Sequence, residues 1–239
     1  MHGAAELCGF DDQATNVSGH ACGPRVYRSL LAALVVLSAV VAQPVAAAPT
    51  TYVAPLRAAV QQLVVAPENN AGSSRTLWGQ WIDADRDCHN TRQEVLAAEG
   101  TGIRYSASSG GCTVFAGTWR SFFDGKSYTS PTQLQIDHLI PVAEAWGSGG
   151  RAWPPSRRAA FYNDLGVGYA LNAVPSALNQ SKQAFGPEQW MPPANRCRYI
   201  EVWTAMKHRW GLTVDLAERA ALIRYAAGCP NNVITVPRA

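Results

Sequence analysis

Charge and histidine are scarce in this chain. Asp, Glu, Lys and Arg together supply 15% of its 239 residues, and histidine occurs five times. With 47% hydrophobic residues beside that low charge, the composition is that of a globular protein and excludes a disordered or fibrous one. The apolar run that stands out, "LLAALVVLSAVVA" from Leu30 to Ala42, has thirteen residues, too few for a comfortable membrane span. No two cysteines stand in C-x-x-C spacing, which argues against a structural zinc centre. No internal repeat or low-complexity tract is found either, so a repeat architecture is excluded.

The short apolar run has a meaning of its own. Arg25 and Arg28 precede it and the small residues of "QPVAAAP" follow it, the layout of a secretory signal peptide. A cut after Ala47 places Val45 and Ala47 at the small-residue positions and predicts a mature start at Ala48. The long acidic stretch before the run points to a true start near Val26. Residues 1–47 are therefore expected to be removed, and 48–239 to form one secreted domain with no stable membrane association. Removing the leader reduces six cysteines to Cys88, Cys112, Cys197 and Cys229. An even number in an exported chain implies disulfides. Three pairings are open, and the expected one is Cys88 with Cys112 and Cys197 with Cys229. Each would close a modest loop and contribute roughly 3 kcal/mol.

Charge is uneven along the mature chain. Residues 49–150 carry 7 Lys and Arg against 9 Asp and Glu, whereas residues 151–239 carry 11 against 5, a net +6. That sign suits a polyanionic partner, although a solvated basic face explains it equally well. Periodicity predicts a helix over 54–65 and a second over 91–100, the latter opened by a Thr91–Glu94 capping box and closed by Gly100. "GCTVFAGTW" and "FFDGKSY" predict a hairpin turning near Asp124-Gly125, followed by a strand in "LQIDHLIP". Two late helices are expected, one over 196–210 and one from Asp215 capped with Glu218. The Gly- and Pro-rich residues 147–158 read as a surface loop.

Asp137 and His138 sit at the end of the strand in "LQIDHLIP", where Pro141 limits further pairing. A hydrogen-bonded structural histidine is the commoner meaning of such a pair. Some forty residues later, "ALNAVPSALNQSKQAF" places Asn172, Asn179 and Lys182 seven and three apart, with Pro175 and Ser176 suited to start a short helix. The order D-H-x-x-P, a loop, L-N, then N-x-x-K resembles the HNH endonucleases. "GTWRSFFDGKSY", "IDHLIPVAEAW", "FYNDL", C-x-Y-x-x-x-W and K-x-x-W-x-L-x-x-D-x-x-E are similar to secreted bacterial HNH-type nucleases related to the GmrSD C-terminal domain, from about Trp78 to Cys229. The resemblance implies an α+β fold built on a ββα-metal core with flanking helices, a β-hairpin and disulfides. It implies that Asp137 and Asn179 are metal ligands, His138 the general base, Asn172 the residue steadying the loop around that histidine, and Lys182 a phosphate contact. Asn179 stands where the third letter of the family name has histidine, which weakens any case for zinc.

The chemistry accounts for these residue types. Phosphodiester hydrolysis needs an activated water and relief of charge on the phosphoryl and leaving oxygens, and one divalent ion serves the latter needs. A histidine with a pKa near 6.5 can take the proton of water at neutral pH. Two oxygen ligands, with water and phosphate completing the shell, suit Mg²⁺ and admit Mn²⁺. Arg157, Arg158, Arg196, Lys207 and Arg209 are further candidates for phosphates, as are Arg92 and Arg151, giving salt-sensitive, sequence-independent affinity for DNA or RNA. Glu144 reads either as a carboxylate behind the site or as a surface acid; His89 and His208 read as structural. The expected function is a secreted, metal-dependent, non-specific endonuclease. The alternatives are an exported nucleic-acid-binding or surface-interaction protein with an inactive HNH-like core, and a zinc-dependent cell-wall hydrolase.

Overall fold

The computed structural model describes residues 50–239; the expected leader, its cleavage site and the start at Ala48 lie outside them. Thr51–Pro55 (β1) alternates exposed and buried side chains and pairs antiparallel with Val233–Pro237 at the far end of the chain. The helix expected over 54–65 is shorter, Leu56–Gln61 (α1), because Pro55 ends the strand in an extended conformation and serves as the N-cap. Leu56, Ala59 and Val60 of α1 are buried, which is the helical spacing the sequence displays.

Thr91–Glu99 (α2) is the second expected helix, but Thr91 does not cap it. Asn90 does, its side chain accepting from Arg92 N and Gln93 N. Thr91 is buried, and its hydroxyl donates to Asn163 Oδ1 (2.6 Å) instead. Gly100–Tyr105 (β2), Val114–Arg120 (β3) and Ser127–Tyr128 (β4) form an antiparallel sheet in that order. The predicted hairpin joins β3 to β4: Gly125 has φ 68°, which glycine adopts without strain, and Asp124 accepts from Lys126 N and the Tyr128 hydroxyl.

Leu134–His138 (β5) leads through Leu139–Pro141 into Val142–Gly147 (α3). The stretch 147–158 is not all loop, since Pro154 and Pro155 start the helix Pro155–Tyr162 (α4), and proline at the first helical position fits because the amide it lacks would be unpaired there anyway. Leu171–Pro175 (β6) pairs antiparallel with β5, and Ser176–Lys182 (α5) follows directly. Arg196–Trp210 (α6), Leu216–Ala227 (α7) and Val233–Pro237 (β7) complete the chain, with Asp215 capping α7 at Glu218 N as expected.

Helix α6 is the centre of the larger core: Tyr199, Ile200, Trp203, Met206 and Trp210 are all buried there. A second cluster joins Leu96 of α2 and Trp119 of β3 to Leu134, Ile136 and Ala173. The β5–β6 pair thus lies between two apolar bodies, with Leu139, Ile140 and Val174 belonging to the first. Disulfides join Cys88 to Cys112 and Cys197 to Cys229, the expected pairing, with Cα atoms 5.2 and 5.4 Å apart. The fold is α+β and disulfide-stabilised.

Candidate functional site

Asp137 and Asn172 face each other across the β5–β6 ladder, and His138 faces Leu171. Asp137, His138 and Asn172 are all buried, at 6%, 6% and 4% exposure. Three polar side chains wedged between two apolar clusters must each find a partner. Asp137 finds Lys182: the ammonium, wholly buried, donates to Asp137 Oδ2 (2.6 Å) and to the His138 carbonyl (2.7 Å). Burial pushes the Asp137 carboxyl up and the Lys182 ammonium down, each opposed by the charge of the other. Asn172 Nδ2 donates to Tyr169 O (3.0 Å), closing the turn that leads into β6. It makes no hydrogen bond to His138 among the described residues.

The His138 ring is clamped. It stacks on Trp81 (centroids 5.2 Å, 13°) and on Phe161 (6.0 Å, 7°). Its Nε2 lies 2.9 Å from Tyr162 O. A carbonyl only accepts, so Nε2 carries the hydrogen and Nδ1 keeps the lone pair. Burial lowers the pKa to about 3, helped by the positive charges of Arg75 and Lys182 and opposed by the Tyr162 bond. The imidazole is neutral at any physiological pH.

Asp137, His138 and Asn179 line one cavity of about 710 Å³, together with Gln135, Arg75 and Arg92. The two neighbours in sequence reach the same space because β5 ends at His138. Helix α5 brings in Asn179, whose Nδ2 donates to Gln135 Oε1 (2.7 Å). Asp137 Oδ1 and Asn179 Oδ1 receive no protein donor among the described residues.

Lys182, the expected phosphate contact, does not line this cavity; its charge is spent on Asp137. Lys207 and Arg209 are also interior groups, against expectation. Lys207 pairs with Glu144 (2.5 Å) and Glu218 (2.9 Å), and Arg209 with Asp164 (2.7 Å). Arg157 packs over the Trp153 and Trp210 rings and donates to Trp210 O. Glu144 is neither of the two expected things: it is a buried partner of Lys207. His208 is structural, stacked on Tyr52 and bonded to Ala59 O. His89 bridges Asp87 and Gly111 O.

The cavity's cations are instead Arg75 and Arg92. Arg92 donates to Pro131 O and Leu134 O. Arg75 is exposed and spends one Nη on the Tyr162 hydroxyl (3.1 Å). Nothing in the local sequence around Arg75, "GSSRTLWG", marks it. Trp81 and Tyr162 were equally unmarked, although "FYNDL" did belong to the resemblance.

Among the described residues, other side chains of ligand type gather in three groups. Glu68, Glu144 and Glu218 bring carboxylate oxygens within 4.8 Å of one another, but the Lys207 ammonium already fills the position of a cation. Asp83, Asp85 and Asp87 form an exposed group, and Asp87 forms a second with the half-buried His89 and Glu94. Asp83, Asp85, Asp87 and Glu94 match the first, third, fifth and twelfth positions of a calcium-loop spacing, and Cys88, at φ 76°, stands where such loops carry glycine.

The fold and the two disulfides define a disulfide-stapled α+β protein, and among the described residues no helix is long and apolar enough to cross a membrane. The chain is 36% identical over 170 residues to an uncharacterized secreted protein of Arthroderma benhamiae, covering 70% of this chain and 81% of that one, and it belongs to that protein's family. No family model matches the chain. No solved structure matches it either.

Proposed function

We propose that this protein is a secreted, metal-dependent endonuclease of HNH type acting on DNA or RNA, with β5, β6 and α5 as its ββα unit. One observation carries the reading: an imidazole of fixed tautomer, a carboxylate and a helix-borne amide open onto the same cavity as an exposed arginine, Arg75, that commits only one Nη, to the Tyr162 hydroxyl. The donor set fits a hard divalent ion such as Mg²⁺, since Asp137 Oδ1 and Asn179 Oδ1 are both oxygens and neither is claimed by a protein donor. Such an ion, held by Asp137 and Asn179, would neutralise charge on the phosphoryl and leaving oxygens.

The chain's own groups do the rest. His138 Nδ1 takes a proton from the attacking water while Tyr162 O holds Nε2–H and orients the ring. The imidazole is a weak base in its dry site; a bound phosphodiester, being anionic, favours the imidazolium that forms. Arg75, rather than Lys182, is the cation free to meet a phosphate oxygen. Lys182 keeps Asp137 ionised and in place.

A second reading is favoured by one specific observation. The Lys182 ammonium, 2.6 Å from Asp137, supplies the positive charge a metal would otherwise supply, as expected of an exported nucleic-acid-binding protein that no longer turns over. Incubating the mature protein with supercoiled plasmid and with RNA, in Mg²⁺, Mn²⁺ or chelator, separates the two. The nuclease reading expects cutting that the chelator abolishes and that His138→Ala lowers about 100-fold. Binding without cutting in every metal, or equal cutting by variant and parent, removes it.

A further inference from the structure

The stretch 66–75 joins the Val65 bridge to the cavity and is held there almost entirely by polar ties. No side chain from Asn69 to Arg75 is buried. Its fastenings are Ala66 N to Val214 O, Asn69 N to Gly147 O (3.2 Å), Trp146 Nε1 to Ala71 O (3.1 Å), the Glu68 side chain and Arg75 Nη2 to the Tyr162 hydroxyl (3.1 Å). At its far end Ser73, Ser74 and Arg75 line the cavity beside Asp137 and His138.

Glu68 reaches into a crowded charge cluster. Its carboxylate, that of Glu144 on α3 and that of Glu218 on α7 lie within 4.8 Å of one another, and the only ammonium among them is Lys207 of α6. Lys207 Nζ is bonded to Glu144, Glu218, Ser148 Oγ and Thr213 O, and has none left for Glu68. Asp215, before α7, adds further negative charge toward Glu68, and Glu188, in the stretch before α6, feels the charges of Glu144 and Asp215. Three carboxylates against one ammonium cannot all ionise at this separation. Burial opposes ionisation of Glu144, but the Lys207 charge and hydrogen bonds from Glu68, Lys207 and Ser148 outweigh it and lower its carboxyl, leaving it the anionic acceptor. Burial pushes Glu218 up to about 7 despite Lys207, but Glu68, the outermost of the three, is pushed further: its hydrogen bond to Glu144, then burial, then the Glu144 charge raise it to about 8, so it is the last to give up its proton.

We propose that residues 66–75 are a proton-operated strap at the rim of the cavity: the proton on Glu68 fastens it to Glu144, and loss of that proton loosens Ser73 and Ser74 at the rim and leaves Arg75 held there by the Tyr162 hydroxyl alone. An acid whose folded pKa lies above its unfolded value stabilises the closed form fully at low pH and progressively less as pH rises through the folded value. The strap is therefore shut in mildly acidic surroundings and loosens toward mildly alkaline ones. The functional consequence, a weaker grip on the phosphate by Arg75 at alkaline pH, rests on the nuclease reading; the strap itself does not.

Amide hydrogen exchange on the intact, oxidised protein tests it, with rates corrected for intrinsic base catalysis and referred to α6 amides. Asn69, whose amide is bonded to Gly147 O, is expected to lose more than about tenfold in protection between pH 6 and pH 8.5. Glu68→Gln, which donates to Glu144 without needing a proton, is expected to stay protected throughout. Glu68→Ala is expected to be unprotected already at pH 6. Constant protection in the parent across this range overturns the proposal. So does a Glu68→Gln variant that loses protection as the parent does, since the proton would then reside on Glu218. If no form cuts nucleic acid in any metal, the nuclease reading fails while the exchange result still decides the strap.

Discussion

Lys182→Met is the substitution for which the structure yields the clearest magnitude. The side chain is wholly buried and its ammonium satisfies two acceptors, Asp137 Oδ2 and the His138 carbonyl. Methionine fills nearly the same volume, so packing changes little and the loss is electrostatic. Stripping one member from a buried ion pair leaves an uncompensated charge and costs about 3–5 kcal/mol. For a domain of this size that is a drop of roughly 6–20 °C in Tm, at about 2–4 °C per kcal/mol. The stranded Asp137 can escape by taking a proton. Its folded pKa then lies further above the unfolded value, so the variant is least handicapped near pH 4 and most handicapped at pH 7 and above. Urea and thermal unfolding of the oxidised protein at both pH values measures this. Asp137→Leu combined with Lys182→Met should cost less than the two single losses summed, because no charge is then stranded. A deficit below about 0.5 kcal/mol, or one that does not change between pH 4 and pH 7, refutes the pairing and with it the account of how Asp137 is held.

Two further perturbations test the scaffold. Replacing Cys88 and Cys112 together by serine should lower stability by about 3 kcal/mol and speed proteolysis within 83–112, while α6 amides remain protected; unchanged proteolysis would mean that the link does not hold this segment. Gly100→Ala should destabilise by about 1–3 kcal/mol, because a Cβ there would lie 2.6 Å from Trp119 Nε1 and against Ile103; an alanine variant as stable as the parent in urea would show that Trp119 can shift freely.

Local signals carried much of the architecture. The helical spacing of α6, the Asp215 cap, the Asp124-Gly125 turn and the disulfide pairing were all legible, because each is set by residues within a few positions or by a short loop. The pairing of β1 with β7 was not, since each is a five-residue strand whose partner lies at the other end of the chain. The site divided in the same way. Asp137, His138 and Asn179 were named from the resemblance to HNH endonucleases and do share a cavity, but their hydrogen-bond partners came from distant segments. Lys182 was expected to meet phosphate because burial of an ammonium cannot be seen until the carboxylate opposite it is placed. Arg75 went unnoticed because what gives it meaning is an exposed position beside His138 rather than a pattern around itself.

The pairing of Thr51–Pro55 with Val233–Pro237 bears on the order in which the molecule can be assembled. Val53 meets Thr235, 182 positions away, so this ladder cannot form until nearly all of the polypeptide has emerged from whatever compartment or channel produces it. Helices and the β3–β4 hairpin can form locally as they appear, whereas this last clasp waits for the tail. The same proximity, with Arg238 N bonded to Thr50 O, means that a short peptide could join residue 50 to residue 238 directly. New termini could then be opened at an exposed turn elsewhere, a rearrangement that would leave the cavity intact and let assembly begin from a different place.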